Sequence, residues 1–471
     1  MENKRRWVAL VAVALATLMT YLDNNVVNVA LPSIQRDLHL GISGLEWIAS
    51  AYILVFAGLL LVGGRLADVF GMRFAFFAGL GIFTAASLTA GLAGSQEWLI
   101  AARAAQGVGA ALLTPTTLAL LPRLFPDARE RATAVGIWGG VGALALAIGP
   151  LTGGYLSQHV SWGWIFLINV PLGIVTAVIA ASSIPAGRGS RRRLDLPGLV
   201  TSALAMFALT YALIEGEPKG WTSAGILGAF AVAAVSAGAF LVVERRSADP
   251  MVDLSVFRNR AFSGGLVSMG LWAFGVFGIY FFTAIYLQNA LGFSPTAAGA
   301  GFVPMALVIA AVATIAPRIE ARFGAGPTVA VGLGLMAVAI GAISTVGQGS
   351  TYADLLPWFL LYGLGGGLLI PLTNVVISVL PPARAGVASG MLNVSREVFG
   401  LLGITILGAI LSARQNAVTG PALHRFLEGY QFALVVAAAL VAVGIPVSLL
   451  TLGRRSQPQP KRVERPVLEG V

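Results

Sequence analysis

QGVGAALLTPTT at residues 106–117 and YGLGGGLLIPLT at residues 362–373 repeat one pattern: a glycine-rich start, a leucine pair, a proline and a threonine, at a constant offset of 256. RLADVFG (65–71) and RIEARFG (318–324) echo each other in the same order at an offset of 253. Glycine-rich apolar segments resemble one another by composition, so one echo alone would decide nothing. Two in the same order point to a chain built from parallel repeats, the plan of secondary transporters with a midplane site.

The composition fits that plan. Hydrophobic residues make up 57% of the 471 positions, charged residues 11%, and mean hydropathy is +0.84. A soluble domain carries roughly 25% charged residues to solvate its surface. The absence of cysteine excludes disulfides and thiolate metal sites, and three scattered histidines argue against a zinc centre. The net charge of +10 lies in short basic clusters between apolar runs, where it sets topology against anionic lipid rather than reading nucleic acid.

Apolar runs long enough to cross about 30 Å of hydrocarbon fall at 7–30, 47–64, 74–94, 98–121, 133–156, 162–184, 196–215, 221–243, 262–287, 296–316, 327–347, 353–378, 389–412 and 430–452, fourteen in all. Placing the first loop outside and alternating puts 24 Lys and Arg on the side of the termini. Only 4 lie opposite (Arg36, Lys219, Arg414, Arg425), with 2 inside helices (Arg103, Arg396). Both termini are therefore expected in the cytoplasm and the chain in the cell's inner membrane. KRRW followed by an apolar run could pass for a signal peptide, but polar residues interrupt the run, and a non-cleaved first helix is expected.

The first echo falls in the fourth span and its copy in the twelfth, the fourth of a second set of six beginning at the ninth. The seventh and eighth spans are then extra. The expected fold is all-α: a six-helix bundle over 1–184, two inserted helices with flanking loops over 185–260, a second six-helix bundle over 261–453, and a basic tail at 454–471.

Several polar residues stand where they are costly. Asp23 and three asparagines sit within YLDNNVVNVALP (21–32). An Asp at the centre of a spanning helix costs about 2.5–3.5 kcal/mol on insertion scales, so it marks function or a partner. Burial favours the neutral carboxyl, and a group able to hold either a proton or a cationic solute can alternate between them. Asn28 lies about 140° around the helix from Asp23, so the two do not share a face. The asparagines Asn24, Asn25 and Asn28 either line a cavity or, the favoured reading, hydrogen-bond neighbouring helices. Arg103, inside an apolar helix with Gln106 nearby, needs a carboxylate, carbonyls or water, whether it serves coupling or simply knits helices together. Arg396 and Glu397 stand side by side in NVSREVFGLLG (393–403). Glu397 is either a local partner for a charge or a second protonatable group facing the cavity; neighbours point about 100° apart, which disfavours an intimate pair. Glu215, Asp354 and Glu46 read as interfacial. The aromatics Trp272, Phe274, Phe277, Tyr280, Phe281, Phe282 and Tyr286 crowd the ninth span. They form either a packing surface or a wall for flat lipophilic cations.

GRLADVFGMR (64–73) resembles the G-x-L-A-D-x-x-G-x-R/K signature of the major facilitator superfamily, with Gly64, Asp68, Gly71 and Arg73 in place and Val69 where arginine is usual. In that family this turn latches the two halves on the cytoplasmic side. Arg103, Gln106, Gly107 and Gly109 match its R-x-x-Q-G-x-G-A motif, associated with proton coupling. GIWGGVGALALAIGPLTGGYL (136–156) resembles its antiporter motif through Gly136, Gly149, Pro150, Gly153 and Gly154, with Ala145 in place of one glycine. LDNNVVNVALP (22–32) and WGWIFLINVPLG (162–173) are similar to signatures of the fourteen-helix drug/proton antiporters. Asn25 stands there for threonine and Gly163 for arginine. Glu397 departs from the family's usual glutamine. The resemblance implies proton-coupled efflux of small lipophilic or cationic compounds; from the residues themselves together with the motifs, Asp23, Arg103, Gln106, Arg396 and Glu397 are the candidate coupling and substrate set. Asn28, Trp272, Phe277, Tyr280 and Phe281 are candidates for the cavity wall. Protons, a small molecule and the bilayer are the expected partners. Neither a cofactor nor a metal is expected, and the chain is expected to act as a monomer. A symporter on the same scaffold is disfavoured by the antiporter motif, and a non-transporting receptor or assembly partner by the lack of a signalling domain. No nucleophile with its base and no phosphate-binding loop suggests an enzyme.

Overall fold

Prolines and glycines decide where this chain starts, breaks and closely packs its helices. The computed structural model describes residues 3–185, 195–247, 250, 254–379 and 385–453. A few side chains within those helices, including Arg65 and Asp68, lie outside the description, as does the basic tail at 454–471. The helices are α1 (Asn3–Leu38), α2 (Ile42–Phe70), α3 (Met72–Gly91), α4 (Gln96–Leu124), α5 (Ala128–His159), α6 (Trp164–Leu167), α7 (Asn169–Ser183), α8 (Leu196–Lys219) and α9 (Ala224–Arg246). After a short 3₁₀ turn come α10 (Arg260–Asn289), α11 (Pro295–Gly301), α12 (Val303–Phe323), α13 (Ala325–Ile343), α14 (Tyr352–Gly367), α15 (Ile370–Ser378), α16 (Ala385–Ala417) and α17 (Ala422–Thr451). No strand occurs among the described residues.

Thirteen segments are long and apolar enough to span a bilayer, counting α6–α7, α11–α12 and α14–α15 as one each. The 32-residue α5, with no Asp, Glu, Lys or Arg after Arg131, makes the fourteenth. The three broken passes were read from sequence as single runs. Each break sits just before a proline: Pro171 opens α7, Pro304 opens α12 and Pro371 opens α15. A proline supplies no amide donor and its ring crowds the carbonyl four residues back, so it is accommodated in the first turn of a new helix rather than inside a continuous one.

The repeat is visible as repeated contacts. A side chain at Gly107 would meet the Tyr52 carbonyl of α2 at 2.7 Å, and one at Gly109 the Phe83 amide of α3 at 2.6 Å. At the offset of 256, a side chain at Gly363 would meet the Met305 carbonyl of α12 at 2.7 Å and one at Gly365 the Gly332 carbonyl of α13 at 2.5 Å. Glycine thus brings α4 and α14 backbone to backbone with equivalent helices of their own halves. Each half repeats the same pairings, α1 with α5 and α10 with α16, α3 with α7 and α13 with α17. The inserted helices α8 and α9 pack on each other, and α8 touches both α2 and α16, so it leans on both halves. Large apolar side chains such as Val178, Val235 and Leu450 are exposed on the outer surface, as lipid contact requires.

The halves meet through α5 with α11 and α12, α2 with α16, and α1 with α10. At the end away from the termini this seam is shut. Gln288 donates from Nε2 to the Val29 carbonyl at 2.8 Å, and the Thr296 amide donates to Gln158 Oε1 at 3.1 Å. The antiporter-motif glycines form the rest of that closure. Gly153 lies against the Val26 carbonyl and Gly154 against the Pro295 carbonyl, while a methyl group at Gly149 would press on Asn25 Cβ. The Pro150 carbonyl lies against Gly299. Gly136 has open space around it and takes no part. At the other end Gly71, with φ of 95°, turns α2 into α3, and Gly64 faces Pro115 of α4. Arg73 donates to the Ile184 and Ala181 carbonyls at 2.7 and 3.1 Å, capping α7 within its own half.

Candidate functional site

Two polar constellations occupy the middle of the molecule, and only one faces open space. The first ties Asp23 of α1 to Arg103 of α4, each 1% exposed, with Nη1 to Oδ2 at 2.5 Å. The other carboxylate oxygen accepts from Gln106 Nε2 at 2.9 Å and from Asn169 Nδ2 of α7 at 3.1 Å. Gln106 also donates to Ser87 of α3 at 2.8 Å. Arg103 donates further to Gln106 Oε1 at 2.9 Å and to the Ile48 carbonyl of α2 at 3.2 Å. Its guanidinium lies 4.5 Å from the Tyr52 ring centre and 5.6 Å from that of Phe166. Four transmembrane passes of the first half are thereby joined by charge-assisted hydrogen bonds, and α3 is added by the neutral Gln106–Ser87 bond. Each ion, unaffordable alone in hydrocarbon, is matched by the other and by neutral donors and acceptors.

Asp23 and Arg103 do not line the cavity. The Asp23 side chain points into the first bundle, where Arg103, Gln106 and Asn169 engage it. Asn24, Asn25 and Asn28 do line the cavity, against the reading that favoured packing. Asn25 donates to the Tyr21 carbonyl at 2.7 Å. The expected division of α1 into two faces, Asp23 on one and Asn28 on another, holds.

The second constellation lies at a cavity of about 310 Å³ between the halves. α1 and α5 supply Thr17, Tyr21, Trp138 and Gly142 to its wall, and the second half supplies Trp272, Val276, Phe277, Tyr280, Ile309 and Tyr362. Arg396 and Glu397 of α16 also line it. Adjacent residues on a helix were expected to point apart, yet Arg396 Nε and Nη2 both donate to Glu397 Oε1, at 3.0 and 2.7 Å. The long guanidinium side chain folds back around the helix, and its head sits 5.6 Å from the Tyr21 ring centre of α1. Both alternatives for Glu397 thus hold in space: it partners Arg396 and it faces the cavity.

Four buried polar atoms of this wall have no hydrogen-bond partner among the described residues: Glu397 Oε2, Trp272 Nε1, Tyr280 Oη and Tyr362 Oη. Native proteins leave few such atoms, and each asks for an explanation such as an absent ligand or water. Here all four border one mostly apolar space, the usual make-up of a small-molecule site. Of the aromatics singled out in the sequence, Trp272, Phe277 and Tyr280 reach the cavity. Phe281 does not: it is fully buried and packs edge-on to Phe282 at 4.7 Å. Tyr286 stacks on Tyr430 at 5.0 Å instead. Sequence reasoning missed Tyr362 and Asn169, although the first lies in the repeated stretch and the second is an amide inside an apolar run.

Comparisons with known proteins bear on this arrangement. The Major Facilitator Superfamily family model matches residues 13–404. The chain is 36% identical over 417 residues to the tetracenomycin C resistance and export protein of Streptomyces glaucescens, covering 88% of this chain and 77% of that one. It is 35% identical to the puromycin resistance protein of Streptomyces alboniger, covering 97% and 93%, and 34% identical to the cephamycin export protein of Amycolatopsis lactamdurans, covering 96% and 93%. Among solved structures, a bacterial homologue of the human lysosomal transporter Spinster, inward-facing and unoccupied, superposes with a TM-score of 0.69 at 17% identity, covering 98% of this chain and all of that one. The duplicated six-helix halves, the shut seam and the family match agree: this chain belongs to the Major Facilitator Superfamily.

Proposed function

We propose that this protein exports small lipophilic compounds, antibiotics among them, in exchange for protons. The observation that carries the proposal is the cavity between the halves, where Glu397 Oε2 and three aromatic donors have no partner among the described residues in a mostly apolar wall. Relatives named for tetracenomycin, puromycin and cephamycin resistance or export support a drug as cargo. Charge placement supports cytoplasmic termini in the inner membrane. The seam shut at the opposite end then leaves the cavity on the cytoplasmic side of a closed outer gate.

In this reading Glu397 exchanges the proton. Arg396 holds the Glu397 carboxyl group by two hydrogen bonds to one oxygen; the other oxygen carries the proton until cargo displaces it. A drug seats against Trp272, Tyr280 and Tyr362 and competes with the proton for that oxygen. A proton bound from the outside releases the drug there. Each proton returning inward contributes about 2.3 kcal/mol per 100 mV of membrane potential, enough to drive accumulation outside. Asp23, Arg103, Gln106 and Asn169 act as the knot that makes the first bundle rock as one body. Gly64, Asp68, Gly71 and Arg73 are assigned to the cytoplasmic latch on the sequence motif; Arg73 binds carbonyls of its own half, and the Asp68 side chain lies outside the described residues. The cavity is complete within one chain, which supports a monomeric carrier with the two bundles and inserted pair bounded as the sequence suggests.

The test is purified protein in sealed liposomes carrying a panel of cationic, neutral and anionic aromatic compounds under an imposed pH gradient. Uphill movement of a compound against the proton flow supports export. Movement in the same direction as protons would make it a symporter, and no gradient-dependent movement would reject transport.

A further inference from the structure

Glu46 was expected at the membrane surface, and the structure buries it. It lies on the first turns of α2, is 2% exposed, and its Oε1 has no hydrogen-bond partner among the described residues. The carboxyl group rests on α16 across the seam between the halves, in space left free only because residue 408 is glycine: a methyl group at Gly408 would overlap it. The site lies outside the central cavity, at the shut end of the seam.

Among the described residues, the groups packed around it supply no cation that binds the Glu46 carboxyl group. From α8 comes Glu215, itself held by Trp47 Nε1 at 2.9 Å and by Lys219 at 3.2 Å, with Lys219 also on Tyr211 Oη at 2.8 Å. α16 carries no ionisable side chain from Leu401 to Ala413, and its next charge, Arg414, pairs with Glu428 at 3.4 Å. α4 begins nearby with neutral Gln96, whereas Glu97 is exposed. An ionised carboxylate in that setting would be a buried charge without compensation beside a second carboxylate. The neutral acid fits this burial.

We infer that Glu46 is a second proton site, separate from the drug cavity, whose protonation from the outer side closes the seam between α2 and α16. The inference rests on the export reading for its direction. When the seam opens, water reaches the carboxyl group and the proton leaves to it. When outside acid returns the proton, the seam can close over a neutral group. A single linked proton changes the open-to-closed ratio by up to about tenfold per pH unit. This makes closure, the step that resets the carrier after drug release, respond to the outer proton concentration.

The cysteine-free chain allows a direct test. Spin labels on Gly41→Cys and Ala417→Cys, both exposed, bracket the seam at the starts and ends of α2 and α16. In detergent without any drug, raising the pH should move the population toward the longer separation. Glu46→Gln, which keeps the shape and cannot ionise, should remain at the short separation and lose up to tenfold per pH unit of that response. Gly408→Ala, which expels the carboxyl, should favour the long separation at neutral pH. Infrared difference spectra of parent against Glu46→Gln at neutral pH should show a protonated carboxyl band. An undiminished pH response in Glu46→Gln, or no such band, overturns the inference. Neither readout needs transport, so a protein that moves no drug would reject the export reading alone.

Discussion

Asp23→Asn separates a structural knot from a proton carrier. The substitution keeps the side chain's shape and removes its charge: the amide oxygen can still accept from Arg103, but the guanidinium loses its counter-charge at 1% exposure, and the new NH2 group faces the Gln106 and Asn169 donors. Breaking a buried pair from one side costs about 3–5 kcal/mol, because it strands an uncompensated charge. Arg103→Met should cost a similar amount by stranding Asp23 against Gln106 and Asn169 alone. Removing both charges together should be milder than the sum of the two by about 2–3 kcal/mol, the coupling expected of residues in direct contact. The assay is reversible denaturation in detergent, followed through tryptophan fluorescence, for the parent, both single variants and Asp23→Asn/Arg103→Met. At temperatures where Asp23→Asn stays folded, its drug flux should still depend on the pH gradient. Additive destabilisation, or a single variant as stable as the parent, would refute the reasoning from the buried pair. A folded Asp23→Asn protein with drug flux indifferent to the gradient would return the proton to Asp23.

The shut outer end makes its own prediction. Gly154→Val places a branched side chain on the Pro295 carbonyl, and overpacking of about 1–3 kcal/mol in that contact should shift the carrier toward the outward-open form about 5- to 150-fold. Labels across α5 and α11 would read the shift, and an unchanged distribution would show that this contact does not gate. Tyr280→Phe removes a buried hydroxyl that lacks a partner, so the unliganded protein should gain about 1 kcal/mol while binding of hydrogen-bonding aromatic drugs weakens roughly two- to tenfold. Thermal unfolding and ligand titration check the two halves of that statement, and losing both stability and affinity would mean the hydroxyl has an internal role.

Much of the architecture is legible in the sequence because the bilayer leaves few choices: each pass must satisfy its own backbone, so apolar length alone marks it. The duplicated glycines are legible for a related reason, since Gly107 and Gly109 recur as Gly363 and Gly365 wherever two backbones touch. The site is less legible. Asp23 and Arg103 each look costly in isolation, and sequence cannot show that residues 80 positions apart neutralise one another. The argument from helix angle misjudged Arg396 and Glu397 because it described where Cβ atoms point, not how far a guanidinium can fold back. Glu46 was misplaced for lack of a partner surface: nothing local reveals that Gly408, on the other half, leaves a hollow for its carboxyl.

Proton release on drug binding tests the central claim most directly. Purified protein in weakly buffered detergent solution, titrated with a transported compound that does not itself titrate, should release close to one proton per molecule bound, read with a pH dye. Glu397→Gln should bind the compound and release none, since the group that exchanges the two is gone. Equal proton release from parent and Glu397→Gln would contradict the account.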